Sequence, residues 1–595
     1  MNLNCYKYGE IKIGISYIDW GFVVFYFIIA TVIGLYYRKK ASGSLSDYFT
    51  SGRNLPWWLA GTSMVATTFA ADTPLAVTEL VSTNGIAGNW LWWNMVLSGL
   101  LTVFLFARLW RRAEVITDVE FTELRYSGKP AAILRGFRAL YLAIPINLII
   151  LGWVTLAFVK IIELAVGVDT WIAVTICVLI TLLYSGMSGL WGVVVTDFLQ
   201  FFIAMAGSIA LAFFATDAVG GIDGLKEGLI RVHGADHGIL NFLPEIGSVW
   251  MPVSAFLVYL SVNWWAAWYP GAEPGGGGYV AQRMFAAKDE KNSLLATLWF
   301  NIAHYALRPW PWIVVALASI VLYPAIEDKQ TGYILVMLNH LPVGFKGLML
   351  AAFAAAYMST VSTHLNWGSS YIVNDFYKRF IKPNASQRHY VLIARITTVG
   401  LVIAGALVTS QMNTIAGAWK FLLALGAGTG AVYILRWFWW RINAWTEISA
   451  MVASFVVSLF LQFAVGMDTS DPNAFAQVML ITVLVSTVVW LSVTFLTQPE
   501  SEETLLKFYK KIRPGGKLWK PIAKLAPDVK VDYGLGWNLL DWAAGITLIY
   551  SALFGVGKII LGTLLEGFGL LILAAAALLF ISWDLNRRGW KTWSE

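Results

Sequence analysis

The stretch G-T-S-M-V-A-T-T-F-A-A-D-T-P-L-A, Gly61 to Ala76, decides how the chain is read. It lies in an apolar segment over 57–83, long enough to cross a bilayer as a helix. Two features interrupt it. Pro74 has no N–H to give and crowds the carbonyl four residues back. Asp72 sits mid-segment, with Thr67, Thr68 and Thr73 around it. The pattern predicts a helix broken near mid-membrane, whose unwound carbonyls must be satisfied by protein, ion or substrate. A simple proline kink packed by its neighbours would leave the same sequence.

A second interruption lies further on. Tyr269-Pro270-Gly271-Ala272-Glu273-Pro274 runs into four glycines, Gly275 to Gly278, and no regular helix survives such a run. About fifteen apolar segments reach spanning length: 17–37, 57–83, 90–110, 133–166, 170–187, 189–215, 249–272, 293–323, 345–377, 390–412, 415–434, 446–466, 476–497, 538–561 and 563–584. The two broken segments are the second and the seventh. Five spans apart is the spacing of two five-helix repeats, spans 2–6 and 7–11, the second inverted across the membrane. Span one and spans twelve to fifteen would be peripheral. The last two apolar runs are divided only by a short stretch around Gly562, so whether they are two spans stays open.

Composition sets the class. Of 595 residues, 58% are hydrophobic, 13% are charged and 30 are Trp, and the mean hydropathy is +0.66. This is an all-α polytopic membrane protein. Cys5 and Cys177 make no motif, which argues against a disulfide framework or a thiolate metal centre. The net charge of +7 reflects cytoplasmic loops rather than nucleic-acid binding. Basic residues follow the odd-numbered spans: Arg38-Lys39-Lys40, Arg108 with Arg111 and Arg112, Arg283 with Lys288, Lys378 with Arg379 and Lys382, Arg436 with Arg441, Lys507 to Arg513, and Arg587, Arg588 and Lys591. That bias puts the N-terminus outside and the C-terminus inside. Met1 to Ser16 are polar and mixed and predict no cleavable signal.

The chain divides accordingly. Residues 1–56 hold the peripheral first span and a cytoplasmic loop, 57–215 the first repeat, 216–248 an external loop, and 249–434 the second repeat. Residues 435–497 are peripheral spans, 498–537 a basic cytoplasmic linker facing lipid head groups, and 538–595 the C-terminal spans and tail. His233 and His237 in the external loop read as surface histidines rather than a metal pair. No phosphate-binding loop supports ATP-driven transport.

Polar groups inside spans carry the functional reading. In span nine, A-A-F-A-A-A-Y-M-S-T-V-S-T-H-L-N (Ala351–Asn366) places Ala356, Ser359, Thr360 and Thr363 at i, i+3, i+4 and i+7, one helical face, with Ser362 beside them. Hydroxyl and carbonyl oxygens are hard ligands that suit a weakly held monovalent ion such as sodium. Taken alone, such hydroxyls more often bond back to their own helix. Asp197 lies inside span six, where an ionisable group costs roughly 3 kcal/mol to insert and so marks a functional position. Arg308 in span eight needs acceptors: a solute oxygen, a carboxylate such as Asp72 or Glu273, or broken-helix carbonyls. His364 reads as a hydrogen-bonded core histidine.

Five stretches in this order are similar to the sodium:solute symporter family, which includes the sodium/glucose, sodium/proline and sialic-acid cotransporters: S-D-Y-F-T-S-G-R-N-L-P-W-W at 46–58, T-D-V-E-F-T-E-L-R-Y at 117–126, S-G-L-W-G-V-V-V-T-D-F-L-Q at 188–200, Q-R-M-F-A-A-K at 282–288 and M-S-T-V-S-T-H-L-N at 358–366. The resemblance covers about residues 17–500 and implies the leucine-transporter type of five-plus-five inverted repeat. It also implies a main sodium site from the carbonyls of Ala66, Phe69 and Ala356 and the hydroxyls of Ser359 and Thr360. A second sodium site of some members matches Asp197, Ser359, Ser362 and Thr363, which would make two sodium ions per solute. The substrate region departs from the sugar-transporting pattern: Gly277 and Gly278 replace an Asn-Gln pair, Asp72-Thr73 replaces Glu-Gln, and Arg308 stands at a Leu-Lys element. Asp72, Thr73, Gly277 and Arg308 are the expected solute contacts.

The expected function is sodium-coupled symport of a small organic solute (sugar, amino acid or carboxylate) by alternating access. The place is the plasma membrane, the inner membrane in a bacterium. Sodium is co-transported, lipids are the other contact, and neither nucleic acid nor an obligatory protein partner is implied. Three rivals remain: proton coupling through Asp197 and His364, a sensor on a transporter-like domain, and a membrane enzyme. The last has no acid/base or metal constellation to work with, so the chain reads as not an enzyme.

Overall fold

The computed structural model describes residues 15–37, 49–185, 190–235, 238–267, 273–412, 415–530 and 534–589. Cys5, Arg38-Lys39-Lys40, residues 46–48, Ser188-Gly189, His237, Tyr269 to Ala272 and Lys591 lie outside the described residues. What is described is almost all helix, with one parallel bridge between Leu55 and Ala287. By length and composition, ten of these helices can cross a membrane, or eleven if the bent pair Gly417–Gly426 and Gly430–Phe438 is one span. Three further apolar helices, Tyr17–Ile33, Thr170–Leu179 and Val253–Ala266, are shorter.

The expected second span is two helices, Trp57–Thr68 and Asp72–Asn84. Proline explains the position of the break. Pro74 is the third residue of the second helix, where an N–H has no partner within the helix in any case. Its ring excludes a helical carbonyl at Ala70, so the first helix must end before that point. The Phe69 N–H closes that end by donating to the Ala66 carbonyl at 3.1 Å.

The second interruption follows Ala266. The chain turns extended at Ala267 and helix resumes at Gly278–Ala286. Gly275, Gly276 and Gly278 take positive φ (81°, 80° and 55°), which only glycine adopts without strain. Gly277 has a different reason. A Cβ there would lie 1.6 Å from Glu273 Oε2.

Span nine is unbroken. Phe345–Ser370 is a 26-residue helix that is almost wholly buried and packs on Tyr17–Tyr37, Trp57–Thr68 and Leu190–Ala218. Small Ala and Ser side chains allow this crowding. At the C-terminus, Leu535–Ile560 and Leu564–Arg587 are separate helices joined through Gly562 (φ 83°) and packed on one another.

The basic segment 498–537 does more than face lipid. Helix Glu502–Ile512 buries Phe508 and Ile512, and Trp519 stacks on Phe508 with ring centroids 5.6 Å apart. Trp519 Nε1 donates to the Trp437 carbonyl at 2.8 Å, and Arg125 lies over both rings. The segment is docked by its aromatic face. Trp519→Ala should therefore cost about 3–5 kcal/mol, as burying no ring there leaves a cavity. It should lower the unfolding temperature in detergent, while Leu518→Ala, at an exposed side chain, should not. Equal melting of the two variants would return the segment to a lipid-facing linker.

Candidate functional site

The broken second span and the hydroxyl face of span nine meet. Thr360 Oγ1 lies 2.8 Å from the Thr67 carbonyl oxygen and 3.0 Å from that of Ala356. Thr360 thus donates to a carbonyl freed by the break, and its own lone pairs stay open. It ties the Ala356 turn of span nine to the end of Trp57–Thr68, the turn that carries Ala66 and Phe69. Ser359 sits one residue back but turns away, donating to Asp197 Oδ1 at 2.5 Å.

Asp197 is the centre of a second polar knot, completely buried. Ser63 Oγ donates to its other oxygen at 2.5 Å. Thr363 Oγ1 is 3.3 Å from Thr67 Oγ1, which donates to the Ser63 carbonyl. The structure therefore brings Asp197, Ser359 and Thr363 together. Ser362 is different: its hydroxyl bonds back to the Ser359 carbonyl at 3.1 Å, the ordinary habit of a helical serine.

Three members of this knot escape a reading of the sequence. Ser63 and Thr67 are one turn apart on Trp57–Thr68, so the spacing that singled out span nine would also have found them. Arg283 is a correction. The loop-charge argument counts it among cytoplasmic residues, yet it lies on Gly278–Ala286 with no exposed surface. Its guanidinium donates to Ser63 Oγ at 3.2 Å and Thr363 Oγ1 at 3.1 Å, and stands 3.7 Å from Asp197 Oδ2. The Asp197 charge is thereby balanced within the protein. Arg436 is corrected likewise: it is buried and pairs with Glu447 at 3.2 Å, which also holds Arg138 at 3.0 Å.

A cavity opens on the other side of Thr360. Asp72, Thr73, His304 and Arg308 line it among the rings of Trp92, Tyr279 and Trp419. Arg308 reaches inside because its helix carries a wide turn. Residues Ile302–Leu307 take π geometry, and the Arg308 N–H bonds five residues back to Ala303 at 3.2 Å, which leaves Pro309 without a clash. Arg308 Nε donates to the His304 carbonyl at 3.1 Å, one terminal nitrogen lies 3.3 Å from Thr68 Oγ1, and the other 3.2 Å from His304 Nε2. Asp72 Oδ1 is buried with no hydrogen-bond partner. Thr73 Oγ1 donates to the Thr68 carbonyl at 3.2 Å.

Two expected positions stand apart from this arrangement. Gly277 lines a separate small void with Glu273, Thr102 and Asn301. His364 touches the cavity, but its Nδ1 is 2.9 Å from Asn147 Oδ1, as a satisfied core histidine would be.

Comparison with known proteins agrees with this geometry. The family model of the sodium:solute symporter family matches residues 48–456. The sodium/glucose cotransporter of Vibrio parahaemolyticus is 27% identical over 507 residues, covering 81% of this chain and 91% of that protein. The sodium/myo-inositol cotransporter 2 of Oryctolagus cuniculus is 23% identical over 539 residues, covering 82% and 78%. A solved structure of a Na⁺-coupled sialic acid symporter, substrate-bound and outward-open, superposes with a TM-score of 0.66 at 19% identity over 82% of this chain and 99% of that one, and so shares the fold. With the family model spanning most of its length, this multi-pass protein of the plasma membrane belongs to the sodium:solute symporter family.

Proposed function

We propose that the protein is a sodium-coupled symporter that imports a small organic solute by alternating access. One observation carries the reading: Thr360 closes onto the carbonyls of the broken second span and lines the solute cavity with its other side. An ion at the break and a solute in the cavity would share that residue. The sodium-coupled relatives support the choice of ion. In this reading the chain has about fifteen spans, with repeats at 57–215 and 249–434, the N-terminus outside and the C-terminus inside.

The main sodium site takes the carbonyls of Ala66, Phe69 and Ala356 and the hydroxyls of Ser359 and Thr360. To serve there, Ser359 turns its lone pairs from the Asp197 side to the break, a rotation about one bond. The second site takes Asp197, Ser359, Ser362 and Thr363. Filling it requires Arg283 to withdraw, since two cations beside one buried carboxylate repel strongly in a low dielectric. Proton coupling fits less well: His364 is bonded to Asn147, whereas Asp197 is held by Ser63, Ser359 and Arg283.

In proteoliposomes, a sodium gradient should drive uptake and a pH step in sodium-free buffer should not. Ser359→Ala should raise the sodium concentration needed for half-activation without unfolding the protein, because Ala suits a helix of small residues. Unchanged sodium activation in a folded variant would remove Ser359 from the site.

Stoichiometry follows from energy. Each charge gains about 2.3 kcal/mol from 100 mV, and a tenfold sodium gradient adds about 1.4 kcal/mol per ion. Two ions supply roughly 7 kcal/mol, enough for about 10⁵-fold accumulation of a neutral solute, and one ion a few hundredfold. The reading is two ions. Asp197→Asn should bring the sodium Hill coefficient towards one and reduce the charge moved per solute. One sodium per solute in the wild type, or an unaltered ratio in the variant, would reject it.

A further inference from the structure

We infer that the cavity selects solutes of zero net charge that bring a hydrogen-bond donor to Asp72, and that Asp72 is the residue that turns anions away. The inference rests on the cavity being the solute site of the proposed symporter, and names the class of solute.

The argument begins with fixed charge. Among the described residues lining the cavity, Asp72 is the acid and Arg308 the permanent base. They are 3% and 1% exposed, so water screens neither well. The hydrogen bonds of Arg308 include three to neutral groups, the His304 carbonyl, the Thr68 hydroxyl and the His304 ring, and its guanidinium lies 5.1 Å from the centre of the Trp312 ring. An imidazole nitrogen that accepts from a guanidinium carries no proton itself, so His304 brings no second positive charge at that face. With Asp72 ionised, the two groups sum to zero.

One oxygen of Asp72 also has unmet demand. It is the first residue of the 13-residue helix Asp72–Asn84, where the helix N-terminus favours a carboxylate. Its Oδ1 is buried without a hydrogen-bond partner. A buried acceptor left unmade is costly, and a donor from the solute removes that cost. Neighbouring hydroxyls do not fill the role, because Thr73 donates to the Thr68 carbonyl. Hydroxyls of a polyol and the ammonium of a zwitterion share this donor chemistry.

An anion meets the opposite situation. Its charge would find Arg308 already balanced and Asp72 repelling it, with both groups almost wholly buried. Removing the acid reverses the sign of the site. Asp72→Asn keeps size and one acceptor but leaves Arg308 uncompensated, so the variant becomes an anion receptor.

The test is thermal stabilisation of the purified protein in saturating sodium by three probe sets: neutral galactose and myo-inositol, zwitterionic proline and alanine, and anionic glucuronate and lactate. A ligand that binds the folded state raises its melting temperature. Glucuronate and lactate should fail to stabilise the wild type, and should gain roughly tenfold or more in apparent affinity in Asp72→Asn. Any neutral or zwitterionic probe that binds the wild type should weaken in the variant, and the responding set tells polyol from zwitterion. Wild-type stabilisation by the anionic set equal to that by the others overturns the inference. So does an Asp72→Asn protein with no gain for anions, whichever solute the wild type takes. Sodium-dependent stabilisation of the wild type without any solute is read in parallel. Its absence would count against sodium coupling and leave the charge selection to be judged on the probes.

Discussion

The structure depends on one constraint: inside hydrocarbon, a backbone carbonyl that loses its helical partner must find another. The chain breaks a helix between Thr68 and Asp72 and then pays that cost with span nine. Thr360 donates to Thr67, and Phe69 folds back on Ala66. Each repair uses one lone pair of an oxygen that has two. In the proposed symporter the oxygens left with a free lone pair would suit a monovalent ion better than a divalent one. The proposed cation site and the repair of the broken span would then draw on the same groups.

Burying charge imposes a second condition. Asp197 faces Arg283, Arg138 and Arg436 share Glu447, and Asp72 faces the cavity that holds Arg308. An isolated ion in such surroundings is expensive, and removing one partner of a pair costs more than removing both. The pairs differ in tightness. Arg138 and Glu447 are 3.0 Å apart and linked to Tyr126, a fixed brace between the fourth span and the spans after the second repeat. Arg283 stands 3.7 Å from Asp197 with hydroxyls between them. On the proposed reading, that looser contact is the one an entering cation would replace, since hydroxyl oxygens serve a guanidinium and a sodium ion alike.

Much of this was legible in the residues. Pro74 beside Asp72 forecast the break, and the i, i+3, i+4, i+7 spacing forecast that Ser359, Thr360 and Thr363 share a face. Asp197 announced itself as a charge in an apolar helix. The misses have a common cause. Loop-charge bias counts Lys and Arg near span ends and is blind to whether a side chain points outward, so Arg283 and Arg436 passed for surface residues. Composition likewise showed 498–537 as basic, while its few aromatics decide where it goes: Phe508 and Trp519 dock under Trp437. Gly277 reads from the sequence as a solute contact, while in the structure Glu273 packs against its backbone where a Cβ would stand. Facing partners distant in sequence settle the cases of Arg283 and Trp519, and no local pattern carries those two.

Coupling follows from what Thr360 touches. In the proposed symporter, an ion at the break would order the end of Trp57–Thr68 and the start of Asp72–Asn84. That would fix Asp72 and Thr73, which line the cavity. The solute then meets a wall already in place and loses less freedom on binding. By linkage, the solute must tighten the ion by the same factor. A neutral solute suits this arrangement, because it draws on none of the membrane potential that the ion brings. A charge on the solute would either cancel the ion's electrical work or add to it, and would leave Arg308 or Asp72 without its counter-charge. On the proposed reading, a zero sum within the cavity and a positive charge at the break would be complementary: one would bind cargo without electrical cost, and the other would supply the work of moving it.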